Sequence, residues 1–263
     1  MDAVFLLSGG LDSAVALAAV HTAEEKPRRS GKAAAGDPPA AAGARSARSI
    51  ALTFDYGQRA ARREIEAAAA MCALYGIEHR AIELPFLREV TRTALVDRAR
   101  DVPRPDAAAL DSAAAHESAK AVWVPNRNGV FIAIAAAHAE AAGIPRVIVG
   151  FNREEGVTFP DNTPEFVLVA NGALAYSTLS KVKVQAPLGK LDKVEIVKHG
   201  RQMGAPIPLL WSCYLGGDEQ CGTCESCKRL FRALEAAEAA AWFREERARA
   251  RAASPVETSR AAS

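Results

Sequence analysis

The stretch Val4-Phe-Leu-Leu-Ser-Gly-Gly-Leu-Asp-Ser13 decides the fold. An apolar run from Val4 to Leu7 has the length and composition of a buried strand. Ser8-Gly9-Gly10-Leu11-Asp12-Ser13 then breaks it, and an alanine-rich helical pattern follows from Ala14 to Val20. Strand, glycine turn and helix start together make an anion pocket. Glycines let backbone N–H groups approach an oxyanion, and the helix N-terminus adds partial positive charge. Ser8 and Ser13 add hydroxyl donors.

The hexapeptide is not a Walker A loop, which needs a Lys-Ser/Thr pair after its last glycine. A Walker lysine serves γ-phosphoryl transfer, and Leu11-Asp12-Ser13 occupies its place. The pattern SGGxDS instead resembles the loop of the PP-loop ATP pyrophosphatase superfamily. That resemblance implies cleavage of ATP between the α- and β-phosphates. A carboxylate cannot attract a polyphosphate directly, so Asp12 is expected to act through Mg²⁺ or to orient the loop. As a residue of a helix start, it also suits a capping role.

Outward from this loop, strands and helices alternate. Strands are expected at Ile50–Phe54, Ile77–Leu84, Pro145–Gly150 and Lys183–Pro187. Helices are expected at Arg59–Tyr75, Asn128–Ala142, Glu165–Ala175 and Leu191–Met203, the last with Asp192 as N-cap. Such alternation predicts an α/β fold, a mostly parallel sheet with helices on both faces. Residues 21–49 are rich in Ala, Pro, Gly, Ser and Arg and read as a flexible insertion. Residues 97–120 show no period and read as a mobile loop. The segments 8–13, 55–58 and 150–155 each follow a strand, where ligands of parallel sheets sit, so they should converge on one cleft. We divide the chain into an α/β domain (1–205), a metal-binding helical region (206–252) and a disordered tail (253–263).

The 263 residues are 49% hydrophobic and 24% charged, with a net charge of +2. That suits a sizeable core and argues neither for nor against nucleic acid. No run of about 18 apolar residues occurs, so no membrane span is expected. The strand starts almost at Met1, so no signal peptide is expected and the cytoplasm is the default location.

Four of five cysteines, Cys213, Cys221, Cys224 and Cys227, form C-x7-C-x2-C-x2-C. Four thiolates at this spacing suit a closed tetrahedral Zn²⁺ site of structural type. An iron–sulfur cluster is the rival metal group. The metal should pin a C-terminal helix over about Ser226–Arg251. Cys72 lies in a helical pattern and reads as a small core residue.

Taken in order, SGGLDS, Phe54-Asp55-Tyr56-Gly57-Gln58-Arg59, Val124-Pro125-Asn126-Arg127-Asn128, Cys213-Tyr214 and Cys221-Gly222-x-Cys224-x-x-Cys227 are similar to the 7-cyano-7-deazaguanine synthase family. The resemblance spans about residues 2–232. It implies that 7-carboxy-7-deazaguanine, ammonia and two ATP give the nitrile through an adenylated carboxylate and then an adenylated amide. It also implies ATP, Mg²⁺ and Zn²⁺ as cofactors and a homodimer, to which the C-terminal helix would contribute. No direct nucleic-acid partner is expected.

On this reading Leu7, Ser8, Gly9, Gly10, Leu11, Asp12, Ser13, Phe54, Tyr56 and Gln58 hold the nucleotide. Ser8, Asp12, Ser13, Asp55 and Arg127 carry the chemistry. Asn126, Arg127, Asn128, Asn152 and Asp161 bind the substrate, with Arg127 suited to its carboxylate or a phosphate. The Asn pair equally suits capping of the helix that starts there. One segment departs from the family, whose members typically carry Tyr-Pro-Asp-Cys-Arg. Here Phe159-Pro160-Asp161-Asn162-Thr163 stands in that place. Asp161 and Glu154 or Glu155 suit a guanine-like N–H edge. Two other readings remain open. A PP-loop tRNA-modifying sulfurtransferase would have to use Cys72, and a nucleotide-binding zinc module would act as a scaffold without turnover.

Overall fold

The computed structural model describes residues 2–30, 48–106, 110 and 113–252. The elements run β1 (Ala3–Leu6), α1 (Leu11–Ser30), β2 (Ser49–Asp55), α2 (Ala61–Tyr75), β3 (Glu78–Glu83), α3 (Pro85–Val90), α4 (Ala113–Val122) and α5 (Arg127–Ala142). They continue with β4 (Arg146–Ile148), α6 (Arg153–Gly156), α7 (Pro164–Ser177), β5 (Lys183–Gln185), α8 (Lys193–Gln202), α9 (Glu225–Ala236) and α10 (Ala240–Ala252). All strand pairs are parallel, and the order is β3-β2-β1-β4-β5. The chain therefore winds outward from β1 in both directions. The switch point falls between β1 and β4, at whose carboxyl ends a crevice opens.

Strand alternation divides the core in two. Ala3, Phe5 and Ala51 face one side and pack with Leu17 of α1, Met71 of α2, Ile196 of α8, Leu234 of α9 and Phe243 of α10. Val4, Ile50, Leu52 and Phe54 face the other and meet Ile132, Ala135 and Ala139 of α5 with Leu174 of α7. Successive side chains of a strand point to opposite faces, so both faces must be covered. The expected fold class is thus the observed one. At α8, Asp192 caps the helix as expected. Its carboxylate accepts from the Glu195 N–H at 2.9 Å, and the Glu195 carboxylate accepts from the Asp192 N–H in return, a capping box.

Three expectations need correction. Helix α1 runs on to Ser30, so the irregular segment expected from residue 21 is helical for ten residues; Ala23, Glu24, Glu25 and Lys26 are good helix formers. Residues 31–47 of that segment, like the tail 253–263, lie outside the described residues. Within 97–120, the alanine-rich stretch from Ala113 forms α4. The C-terminal helix is two helices, broken where Glu238 adopts φ +53°. There the Glu238 and Ala239 N–H groups donate back to Glu235 and Leu234 carbonyls, a helix-ending pattern that satisfies the last carbonyls.

Candidate active site

The bend after β1 is built as its sequence requires. Gly9 sits at φ +73°, where a Cβ would lie 2.7 Å from the Glu64 carbonyl oxygen on α2. Gly9 thus serves packing against α2, not the cleft. Ser8 and Ser13 place their hydroxyls 3.2 Å apart across the bend, and Ser13 Oγ donates to the Gly10 carbonyl at 3.2 Å. The first turn of α1 follows, where N–H groups have no intrahelical acceptor. Gly150, at the end of β4, backs this turn. A Cβ on it would stand 2.7 Å from Ser13 N and 3.0 Å from the Asp12 carbonyl carbon.

Asp12 does not cap the helix. Its Oδ2 accepts from Lys193 Nζ at 2.8 Å, and the same ammonium donates to Glu155 Oε1 at 2.7 Å. Its other oxygen, Oδ1, is buried without a partner. Burial pushes the Asp12 carboxyl up to about 6, against the attraction of Lys193 and reinforced by the charge of Glu155. Burial also opposes the charge of Glu155, but Lys193 overrides it and holds that carboxyl below its ordinary value. Lys193, squeezed between two carboxylates, is held charged well above its usual range in spite of burial. The unpartnered Asp12 oxygen in a site with excess negative charge fits a divalent cation such as Mg²⁺.

The cleft encloses about 270 Å³ and is lined by Ser8, Gly10, Asp12 and Ser13 on one side. Phe54 and Tyr56 from β2, Arg127 and Asn128 from α5, and Asp161 line it elsewhere, together with Leu7 and Leu11. Arg127 Nη1 donates to the Tyr56 hydroxyl at 3.1 Å, and its guanidinium lies 5.9 Å from the centre of that ring. Burial works against the charge of Arg127, yet Tyr56 and Asp161 hold it raised. Asn128 Nδ2 donates to the Asp161 carbonyl at 3.3 Å, and Asn162 Nδ2 donates to Asp161 Oδ1 at 3.1 Å. Burial raises the Asp161 carboxyl, and Arg127 opposes that rise.

Besides Gly9, four expected site residues are used otherwise. Gln58 touches the cleft, but its amide is consumed by the loop. It accepts from the Tyr56 N–H and donates to the Phe54 carbonyl and the Glu64 carboxylate. Asp55 does not line the cleft; its Oδ1 accepts from the Gly57 N–H at 2.8 Å, closing the turn. Asn126 is exposed outside the cleft at φ +53°, and its side chain makes no cap to α5. Its Oδ1 lies 2.1 Å from where a Cβ on residue 129 would stand, so a side chain there would displace the exposed Asn126 amide. Asn152 is buried outside the cleft lining and caps α6 through the Glu155 N–H at 2.9 Å.

Glu154 and Glu155 are likewise engaged. Arg229 and Arg232 of α9 each donate to Glu154 Oε1 at 2.9 Å, while Glu155 holds Lys193. Lys193 itself was not legible in the sequence. It lies 181 residues from Asp12, and no spacing rule joins two such residues. Its only local signal is a lysine in the first turn of a helix, where the macrodipole disfavours it.

The four cysteine sulfurs lie within 4.8 Å of one another. A tetrahedral zinc with Zn–S bonds of about 2.3 Å sets S···S separations near 3.8 Å, so the cluster fits that ion. Cys213 Sγ accepts from the Leu215 and Cys221 N–H groups at 3.4 Å, and Cys221 Sγ from Cys224 N–H at 3.2 Å. Such N–H···S bonds favour thiolates. Gly222, at φ +69°, makes the turn between the second and third ligands. Cys224 is the N-cap residue of α9 and Cys227 lies in its first turn. Trp211 ties this centre to the bend, its N–H donating to the Gly9 carbonyl at 2.9 Å and its indole N–H to the Cys213 carbonyl at 2.8 Å.

A parallel sheet whose switch point opens on a cleft edged by a glycine-and-serine bend, beside a four-cysteine centre, defines an α/β protein with a candidate metal-binding region. The chain belongs to the family described as "Queuosine biosynthesis protein QueC", whose model matches residues 40–238. It is 50% identical over 238 residues to a 7-cyano-7-deazaguanine synthase of Pelotomaculum thermopropionicum, covering 90% of this chain and 98% of that one. It is 49% identical over 239 residues to that of Desulforudis audaxviator, covering 90% and 98%. A solved NAD+ synthetase from Burkholderia pseudomallei is 18% identical with a TM-score of 0.35, covering 96% of this chain and 82% of that one. That likeness is too slight to bear on the site. Among the described residues, no helix is long and apolar enough to cross a membrane.

Proposed function

We propose that this chain is an ATP-dependent 7-cyano-7-deazaguanine synthase, converting 7-carboxy-7-deazaguanine and ammonia to the nitrile. The observation that carries the reading is that the Ser8–Ser13 bend opens on the same cleft as Arg127 and Asp161. A carboxylate resists ammonia because it is anionic and lacks a leaving group. Attack of its oxygen on the α-phosphorus of ATP expels pyrophosphate and leaves an acyl adenylate. Ammonia adds to the carbonyl carbon, AMP departs, and an amide remains. The amide oxygen attacks a second ATP, again expelling pyrophosphate. Loss of both N–H protons and of AMP gives the C≡N bond.

The bend neutralises the departing pyrophosphate through its first-turn N–H groups, donors already in place before charge develops, with the Ser8 and Ser13 hydroxyls turning from their mutual bond and the Gly10 carbonyl toward it. Arg127 holds an anionic oxygen of the substrate acid or of the α-phosphate. Asp161 accepts from the N–H edge of the base. Asp12, with its free oxygen, would hold Mg²⁺, which supplies charge neutralisation on the phosphates when bound. Lys193 fixes Asp12 for that task. The four cysteines would hold Zn²⁺ with no open position, a structural role that anchors α9 and, through Trp211, the bend.

The same reading makes the protein a cytoplasmic homodimer. The support lies on α7 and the residues just after it: Leu168, Val169, Tyr176 and Leu179 are each more than two-thirds exposed. No charged residue occurs from Phe166 to Ser180, so a second copy meets this stripe without like-charge repulsion. Mass spectrometry of a mixture of protein, 7-carboxy-7-deazaguanine, Mg-ATP and ammonium should show the nitrile with AMP and pyrophosphate. ADP and orthophosphate, or no product, would overturn the reading.

A further inference from the structure

Trp123, just before α5, and Phe159, just before the 3-10 turn at Pro160–Asn162, both line the cleft and none of the roles above uses them. Their rings are parallel to within 7°, with centroids 6.0 Å apart. The other ring pairs among the described residues lie at 22° to 55°. Offset-parallel packing is a usual arrangement of aromatic neighbours; what marks this pair is its place, since both rings line the cleft and Phe159 stands two residues from Asp161. Aromatic rings at a cleft wall are what a flat heterocycle stacks on.

We propose that Trp123 and Phe159 form the aromatic platform on which the heterocycle of the carboxylic acid stacks, making them specificity-determining residues. The inference rests on the proposed reaction and adds where its base is bound. Two planar rings enter this cleft, adenine and the deazapurine, and Asp161 discriminates between them. Asp161 is two residues from Phe159, lines the same cleft, and keeps a carboxylate with acceptor capacity beyond its bond from Asn162. A guanine-like edge offers two donors, a ring N–H and an exocyclic amine, which a carboxylate accepts together. The corresponding edge of adenine pairs one donor with a ring-nitrogen acceptor, which a carboxylate repels. The base beside this platform is therefore the guanine-like one. Phe159 adds no polar atom that competes with Asp161 for it.

The test is steady-state kinetics on Trp123→Ala, Trp123→Phe and Phe159→Ala, with the acid and ATP varied separately. Stacking of a base on an aromatic ring predicts a rise of about 10- to 100-fold in KM for the acid in the alanine variants. KM for ATP should stay within about twofold, and Trp123→Phe should recover most of the loss. Calorimetric binding of the acid alone should weaken in parallel. Unchanged acid KM in both alanine variants, or a rise in the ATP KM instead, would overturn the platform. Where Trp123→Ala does not fold by circular dichroism, Trp123→Phe and Phe159→Ala decide the matter. Absence of nitrile from the wild-type protein would refute the reaction itself, whereas nitrile formation with insensitive variants would refute only the platform.

Discussion

Lys193 joins the bend after β1 to α6. Its ammonium lies 2.8 Å from Asp12 Oδ2 and 2.7 Å from Glu155 Oε1, with its side chain only 9% exposed. One cation thus fixes two acids from segments about 140 residues apart. Removing it, as in Lys193→Met, leaves two carboxylates facing each other. Breaking such a pair costs roughly 3–5 kcal/mol when fully buried, and less here because Glu155 is a third exposed. We expect a lower melting temperature and a loss of at least about 100-fold in kcat, the size that follows from misplacing a group by about 1 Å. A variant with wild-type turnover would contradict the role given to Lys193.

The same triad sets a pH dependence. The folded pKa of Asp12, about 6, is above its ordinary 3.8. Asp12 therefore contributes stability that is complete below 3.8 and lost as pH rises through about 6. In the proposed role of holding Mg²⁺ its working form is the ionised one, so activity should rise with pH through the same range. Glu155→Gln removes a charge that raises the Asp12 pKa, and the acid limb of pyrophosphate exchange should move to lower pH. A limb that stays put or moves up would refute the assignment.

Gly150 tolerates no side chain. A Cβ would meet backbone atoms of Ser13 and Asp12 at 2.7–3.0 Å, and backbone does not yield as a side-chain tip does. Gly150→Ala should spread β4 from α1 and reduce kcat/KM for ATP by about 100-fold or more. Isotope exchange between pyrophosphate and ATP measures this directly; exchange at the wild-type rate would show the approach to be dispensable.

Cys221→Ser should release the metal. One zinc per chain by plasma emission should fall to near zero. With about 2–4 °C lost per kcal/mol in a chain of this size, the melting temperature should drop by about 10 °C or more. An unchanged melting curve without zinc would disprove a structural metal.

Cys72, on α2, is buried in the core, and burial pushes its thiol up to about 12. A thiol that stays protonated is no nucleophile. Cys72→Ala should keep kcat within about twofold; loss of turnover would revive a sulfur-transfer chemistry.

Leu168→Glu with Tyr176→Glu should give a monomer by sedimentation velocity at wild-type secondary structure. A persistent dimer would move the interface elsewhere.

The sequence by itself determined the layers and the bend. Period-2 and period-3.6 patterns, the glycines at 9 and 10, the Asp192 cap and the cysteine spacing are local, and local rules read them. It also placed the segments 8–13, 55–58 and 150–155 after strands that converge on one cleft, and Ser8, Tyr56, Gly150 and Glu155 line that cleft. What it did not determine is which polar atoms remain free there. Asp55, Gln58, Asn126 and Asn152 are the residue types of a site, yet three hold turns or a helix end in the folded chain and Asn126 faces solvent. Only tertiary structure decided that Lys193 bonds Asp12, that Trp123 lies parallel to Phe159, and that Glu238 divides the last helix. Each depends on contacts between distant segments, and the energy of such contacts leaves no periodic trace in the order of residues.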